Sequence, residues 1–350
     1  MKIAYLTAGN VGGGHFVRGL AIERGLRRAG FAGGYRMFGP RLDFPLARRC
    51  ETYEEVPILR EGVALQHPQL AQTSTLAVRL REYRPDLLLV DLFWAAVRWV
   101  LPLPECEAWL LVRSCPAAWL QGTPQLPFAQ RQFRRILGIE PLTYPVLTEV
   151  IDPIVIANRD ECRPAGALRE SYEVPAGRPL TVVVQGGEPG EAAALAAAAR
   201  AESAAGAGTA PRAAAEAGDG TKAGPATKLR AGARSISGAG SDLDAGSDSR
   251  GATSGAGPGA ADGGFVTLDL HAENALFPAA EWLGGADRIF AGGGYNAFWE
   301  GRWLGYGERI RHLPFPRSID DQAGRLRAFG DRVPAANGAD VLAASIVRGG

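Results

Sequence analysis

Three short stretches carry the residue types from which a binding or transfer site can be built. The first is GNVGGGHFVRG (9–19), where an apolar segment runs through glycines into a helical pattern. Glycines let a strand turn tightly into a helix, which puts His15 near the helix's positive end. That position lowers the pKa of an imidazole and keeps it neutral, able to accept a proton. A tight turn with an incidental histidine is the competing reading. The dinucleotide fingerprint G-x-G-x-x-G is not met, because Gly12 and Gly14 fit its first two positions but Val17 occupies the third. A nicotinamide or flavin site therefore loses its best warrant.

The second stretch is AGGGYNAFWEG (291–301). If a strand ends at the alanine and a helix begins at the tyrosine, Gly292, Gly293 and Gly294 form a bare-backbone loop at a helix N-terminus, an anion site suited to a diphosphate. Asn296 is a candidate cap for that helix, and the two oxygens of Glu300 can reach a pair of ribose hydroxyls. The alternative is a loop that simply feeds a core helix anchored by Phe298 and Trp299. The third stretch is FPRSIDDQ (315–322), where Asp321 and Gln322 open a helix after a proline-fixed loop. A carboxylate beside an amide can bind vicinal sugar hydroxyls, although acidic residues also favour helix starts for electrostatic reasons alone. Asp242 and Asp244 have the spacing of a metal-binding D-x-D, but their low-complexity surroundings discount them.

The elements that must position these stretches are legible in the hydrophobic pattern. The segments 2–9, 34–39, 84–94, 107–114 and 152–161 read as strands, with helices over 16–30 and 70–83 between them. The apolar centre of RPDLLLVDLFW suits a parallel sheet covered on both faces. The pattern restarts at RPLTVVVQGG (178–187) and a helix over 191–202, then at strands 264–270, 286–293 and 308–316. Helices are expected over 295–305 and 318–330. Strands alternating with helices predict an α/β protein with two Rossmann-like, doubly wound parallel-sheet domains, over 1–150 and 151–350. Ligands of such sheets bind at the carboxyl ends of the strands. Residues 201–263 contain no aromatic side chain and are rich in Ala, Gly and Ser, so that insertion is expected to be disordered.

Composition bounds the function classes. The chain has 350 residues, 46% hydrophobic and 21% charged, with a formal net charge of +1. A sizeable core can form, and charge gives no warrant for nucleic acid as a partner. Four cysteines without C-x-x-C spacing fit neither a zinc site nor a disulfide framework, which suits a reducing cytoplasm. The N-terminus lacks the long apolar region of a signal peptide. The most apolar stretch, 87–104, carries Asp91 and Arg98 and ends in prolines, so membrane contact is expected to be peripheral at most.

Taken together, the three loops resemble those of the GT-B glycosyltransferases, and among them the bacterial relatives of the transferase that adds N-acetylglucosamine in peptidoglycan-lipid synthesis. Gly12, Gly13, Gly14, His15 and Arg18 fit the family's G-x-G-H-x-x-R pattern. Gly293, Gly294, Asn296 and Glu300 fit its donor signature, and Asp321-Gln322 its D-Q pair. The resemblance covers about 1–190 and 264–330. It implies a nucleotide-sugar donor, with UDP first among nucleotides, held mainly by the C-terminal half. The Gly292–Gly294 loop would hold the diphosphate, Glu300 the ribose, and Asp321 and Gln322 the sugar. His15 would be the base for an acceptor hydroxyl, a lipid or a small molecule, bound by the N-terminal half. Transfer would invert the anomeric carbon without a metal, the nucleotide sugar being substrate rather than cofactor. Ala297 departs from the family's usual threonine. Two other readings are a degenerate sugar-nucleotide-binding protein and a nucleotide-sugar epimerase or hydrolase of the same architecture.

Overall fold

A computed structural model describes residues 1–8, 13–115, 131–206, 265–273 and 275–349. Gly12, Asp242, Asp244 and the expectation for residues 207–263 lie outside the described residues. The N-terminal half begins with β1 (Lys2–Thr7), helix α1 (Gly14–Arg28), β2 (Gly34–Gly39) and β3 (Tyr53–Glu55). Helix α2 (Thr75–Tyr83), β4 (Leu87–Asp91), β5 (Glu107–Val112), β6 (Arg135–Gly138) and β7 (Glu149–Val150) follow. The C-terminal half contains β8 (Thr181–Gln185), α3 (Pro189–Gly206), β9 (Phe265–Asp269) and β10 (Arg288–Gly292). It continues through α4 (Tyr295–Trp303), β11 (Ile310–Leu313), α5 (Gln322–Phe329) and α6 (Gly338–Gly349).

The strands form two sheets, ordered β3-β2-β1-β4-β5-β6-β7 and β11-β10-β8-β9, and every described pairing is parallel. The apolar strand runs are explained by burial on both faces. Ile3 and Tyr5 of β1 face one core, whereas Ala4 and Leu6 face the other. Leu87 and Leu89 of β4 join the first core, and Leu88 and Val90 the second. Side chains alternate across a strand, so a sheet covered on both sides needs apolar residues at every position.

Helix α1 presents Phe16, Gly19, Ile22 and Leu26 as its buried stripe, at the three- and four-residue spacing of one helix face. On the same side Gly25 allows close approach to α6. A Cβ added there would lie 2.6 Å from the Ala339 carbonyl oxygen. The last helix of the chain thus packs on the N-terminal half, so the boundary near residue 150 does not separate all contacts. Tyr295, Phe298 and Trp299 share the N-terminal core with Phe16 and Ile22, which fuses the two halves through apolar side chains.

Two segments differ from the sequence reading. Residues 152–161 are buried over 153–157 yet form no strand. Their backbone donors go to side chains instead of a neighbouring ladder: Ile154 N–H donates to the Tyr295 hydroxyl (2.9 Å) and Val155 N–H to Asn337 Oδ1 (3.3 Å). Buried backbone groups need partners, but those partners need not be another strand. The helix expected to end at 202 runs to Gly206, so 201–206 belong to α3 rather than to the low-complexity insertion. Alanine's high helix propensity explains the extension. Among the described residues, no helix is long and apolar enough to cross a membrane.

Replacing Gly25 with Val is expected to destabilise the chain by about 1–3 kcal/mol in urea unfolding, through overpacking against α6. Gly62→Ala, whose added Cβ meets nothing within 4 Å, is expected to stay within about 0.5 kcal/mol. Equal behaviour of the two variants would remove the packing argument.

Candidate functional site

The first sheet reverses its strand order between β1 and β4. Connections from these neighbours leave in opposite directions, opening a crevice at their carboxyl ends. His15 enters from α1, which follows β1, and Asp91 is the last residue of β4, paired in register with Thr7. His15 Nδ1 lies 2.7 Å from Asp91 Oδ2. The Arg18 guanidinium donates to both oxygens of Asp91, at 2.8 and 2.6 Å. The Tyr5 hydroxyl is within hydrogen-bonding reach of the His15 carbonyl (2.8 Å) and of Asp91 Oδ2. Arg18 stacks on the Tyr295 ring, 4.4 Å from its centroid, so α4 of the other half seals the cluster.

Burial alone would push the Asp91 carboxyl up. The Arg18 guanidinium, with His15 and the bonds from His15 and Tyr5, holds it well below the usual carboxylate range instead. Burial lowers the His15 pKa, and the Arg18 and Arg113 charges add to that effect against the pull of Asp91. An ionised Asp91 fixes the proton of neutral His15 on Nδ1, leaving Nε2 as the basic nitrogen. Arg18, grouped by the resemblance with the acceptor-side glycines, lies in α1 within the helix expected over 16–30, and it is buried in the ion pair with Asp91. Asp91 itself was missed as a site residue. Its signal was a lone acid closing the apolar run LLLV, a place where a charge needs a reason.

The second sheet reverses its order between β8 and β10, and the Gly292–Gly294 loop leaves from β10 there. Gly294 is the N-cap of α4, with extended backbone and no side-chain cap. Asn296 does not cap this helix. Standing in its first turn, it reaches across to the other half and donates from Nδ2 to the Gly14 carbonyl at 2.9 Å. Gln322 is buried beside Gly293, and its Oε1 accepts from Phe315 N–H at 2.9 Å. Asp321 caps α5 by accepting from Gly324 N–H at 2.8 Å and does not line the cavity; its neighbour Asp320 does. Glu300 lines the cavity from α4, and burial pushes its pKa up to about 8, against the opposing effect of the Ile156 backbone.

A second ionic cluster, also missed in the sequence, ties the halves together behind these loops. Glu140, fully buried after β6, accepts from Trp299 Nε1 (2.9 Å), Arg325 Nε (3.2 Å) and Ser114 N–H. Arg325 also donates to Asp320 Oδ1 (2.6 Å) and the Gly293 carbonyl (3.3 Å), and Asp320 pairs with Arg113 at 2.7 Å. Burial would raise the Asp320 pKa, but the Arg113 and Arg325 charges bring it below its ordinary value.

The two crevices face one cavity of about 770 Å³. His15, Arg18 and Phe93 line it from the N-terminal half, and Gly292, Gly294 and Glu300 from the C-terminal half. At its edge Gly13 N–H donates to the Gly186 carbonyl at 3.1 Å. A Cβ added at Gly13 would meet the end of the Leu270 side chain, which would have to turn aside. The structure thus brings His15, Gly13 and Gly14 together with Gly292, Gly293, Gly294, Asn296, Glu300 and Gln322.

No protein-family model matches the chain, and no curated protein does. Solved structures do. The spinosyn forosaminyltransferase SpnP is 13% identical, with a TM-score of 0.52 over 99% of this chain and 90% of its own. SsfS6, a Streptomyces sp. SF2575 glycosyltransferase, is 11% identical, with a TM-score of 0.48 over 99% and 91%. With two parallel sheets facing one cleft, the likeness to SpnP fixes the architecture. The fold is GT-B. GT-B folds built at such low identity share a backbone plan, while their function must be argued from the site.

Glu300 generates a stability prediction. Its pKa in the folded chain, about 8, stands above its ordinary 4.5. The unfolded chain therefore releases this proton first as pH rises, and the group's contribution to stability is lost between those values. Relative to Glu300→Gln, the wild-type chain should lose stability from pH 5 to pH 8 in urea unfolding. Parallel curves for the two proteins would contradict the raised value.

Proposed function

We propose that this chain is a glycosyltransferase that moves a sugar from a nucleoside diphosphate sugar, a UDP-sugar first among candidates, to an acceptor hydroxyl with inversion. The observation that carries the reading is the His15–Asp91 pair on one wall of a cavity whose opposite wall holds the Gly292–Gly294 loop. In this scheme an acceptor bound by the N-terminal half gives its hydroxyl proton to His15 Nε2. Its oxygen attacks the anomeric carbon from the face opposite the leaving group. The bond from that carbon to the diphosphate breaks, and the diphosphate leaves with the electron pair.

Each residue has a part in that sequence. Asp91 orients the imidazole and stabilises the imidazolium that forms. The uncapped N-terminus of α4 at Gly294 meets the charge growing on the diphosphate, while Gly293 N–H is held by the Leu313 carbonyl at 2.9 Å. Glu300 faces the ribose hydroxyls. Asp320 and Gln322 take the sugar end, because Asp321 is occupied by its cap. Enclosure in one cavity supplies positioning, which can account for several kcal/mol of the barrier. The scheme uses no metal and no resident cofactor. Ala297 lines the same cavity without a hydroxyl, and this favours one second reading, a sugar-nucleotide-binding protein without turnover.

Thermal shift with UDP, GDP and dTDP and their sugars tests the donor class. Stabilisation by UDP and its sugars, by about 2.7 kcal/mol at a hundredfold excess over Kd, is the expected result. No response to any nucleotide would end both the transferase and the binding reading.

His15→Ala should abolish transfer while keeping nucleotide binding. With the intact enzyme, the acid limb of kcat/KM should fall below the ordinary imidazole value of about 6.5, because burial depresses His15. An acid limb above that value, or unchanged turnover in the variant, would reject His15 as the base.

A further inference from the structure

We infer that Arg317 is the guanidinium that receives the diphosphate of the donor, and that Glu191 holds Arg317 through the contact the phosphate displaces. This rests on the nucleotide-sugar reading above. Among the described residues, three arginines line the cavity: Arg18, Arg113 and Arg317. The first two have side chains only 2% and 6% exposed and are locked onto Asp91 and Asp320. Arg317, on the loop between β11 and α5, is 20% exposed. It is the one that a ligand can reach without dismantling the buried clusters.

Its position suits the task. β8 and β10 are neighbours, with Val184 paired to Ala291, so the loops that follow them leave the sheet side by side. A Cβ added to Gly187 in the first loop would lie 3.3 Å from Arg317 Nη2. The Gly292–Gly294 loop is the second. Arg317 and the Glu191 carboxylate, which lies closer still, therefore stand together over Gly187, in the loop beside the one assigned to the diphosphate. A guanidinium is a planar fork of donors that matches phosphate oxygens, and such charge-assisted bonds are among the strongest available.

The partners of Arg317 are two acids, Glu188 just before α3 and Glu191 in its first turn. Its Nη2 is bonded to Glu191 Oε1, and its Nη1 lies 3.7 Å from Glu188 Oε1. Nη1 also donates to the Pro316 carbonyl at 3.2 Å. Two carboxylates around one guanidinium leave surplus negative charge where a diphosphate must sit. The diphosphate thus has to take donors from Glu191. Glu191 keeps Arg317 extended over the loop, and its charge weakens anion binding at the same time.

Calorimetry with UDP, uridine and inorganic pyrophosphate separates these effects in the full chain. Arg317→Gln should weaken UDP and pyrophosphate about tenfold or more and leave uridine unchanged. Glu191→Gln retains an acceptor for Arg317 but removes the charge, so it should tighten UDP and pyrophosphate several-fold. Arg317→Lys, a fold-preserving control, should recover part of the loss. UDP binding unaffected by Arg317→Gln, or weakened equally with uridine, would overturn the inference while leaving the nucleotide reading intact. UDP binding weakened by Glu191→Gln would overturn the displacement. Wild-type binding of pyrophosphate but not UDP, with the expected variant effects, would sustain Arg317 and fault the nucleotide reading. Binding of neither would overturn both.

Discussion

A carboxylate at the end of a fully buried strand sets the conditions for the N-terminal half of the site. Asp91 is 0% exposed, and an unpaired charge there would cost several kcal/mol or be neutralised by a proton. It stays ionised because Arg18 donates to both of its oxygens while His15 and Tyr5 close around it. This explains the placement of α1: His15 and Arg18, three residues apart on one helix face, must both arrive at the same acid. The helix starts at Gly14, which places both residues in its first two turns. The basicity of His15 at Nε2 follows from the charge of Asp91.

The same logic recurs across the cleft, and there it joins the halves. Glu140 follows β6 in the first half, yet its partners Trp299 and Arg325 belong to the second half. Arg325 in turn holds the Gly293 carbonyl. The orientation of the glycine loop thus depends on an acid supplied by the other domain. Removing one member of such a buried pair costs about 3–5 kcal/mol, because its partner is left charged and dry. The cavity is shaped by two buried ionic clusters, one behind each wall, with Asp320 and Arg113 joining the second cluster to the surface that a ligand would touch.

Much of the fold was legible because its signals are local. β2 was read with the bounds it has, and β4 was read correctly as a doubly covered strand. The glycine loops were legible for the same reason: a strand, a bare turn and a helix follow one another in the chain. What escaped was non-local. Asp91 is 73 residues from Arg18, and Glu140 is 185 residues from Arg325; no periodicity links such pairs. Residues 152–161 misled because an apolar run reports burial, and burial was met here by side-chain partners rather than a sheet. Asn296 misled because the helix starts earlier, with Gly294 at its N-cap, which places the amide inside the first turn, from where it reaches Gly14. In the doublet of Asp320 and Asp321, spacing alone could not say which acid would cap the helix and which would face the cavity.

The contacts that close the cavity are unequal, and the inequality has a direction. Along its edge the halves meet through single hydrogen bonds, from Gly13 N–H to the Gly186 carbonyl and from Asn296 to the Gly14 carbonyl. Each contributes about 1 kcal/mol, and water can replace it when the edge opens. Deeper in, Glu140, Trp299 and Arg325 meet out of water, and Tyr295 covers Arg18. Separating those groups would expose apolar surface and strand buried charges. Any parting of the two halves is therefore least costly at the edge, with the ionic clusters remaining closed. A ligand would then meet the Gly13 and Gly14 turn and the Asn296 amide as the surfaces that yield. His15, anchored by Asp91 behind them, would keep its place.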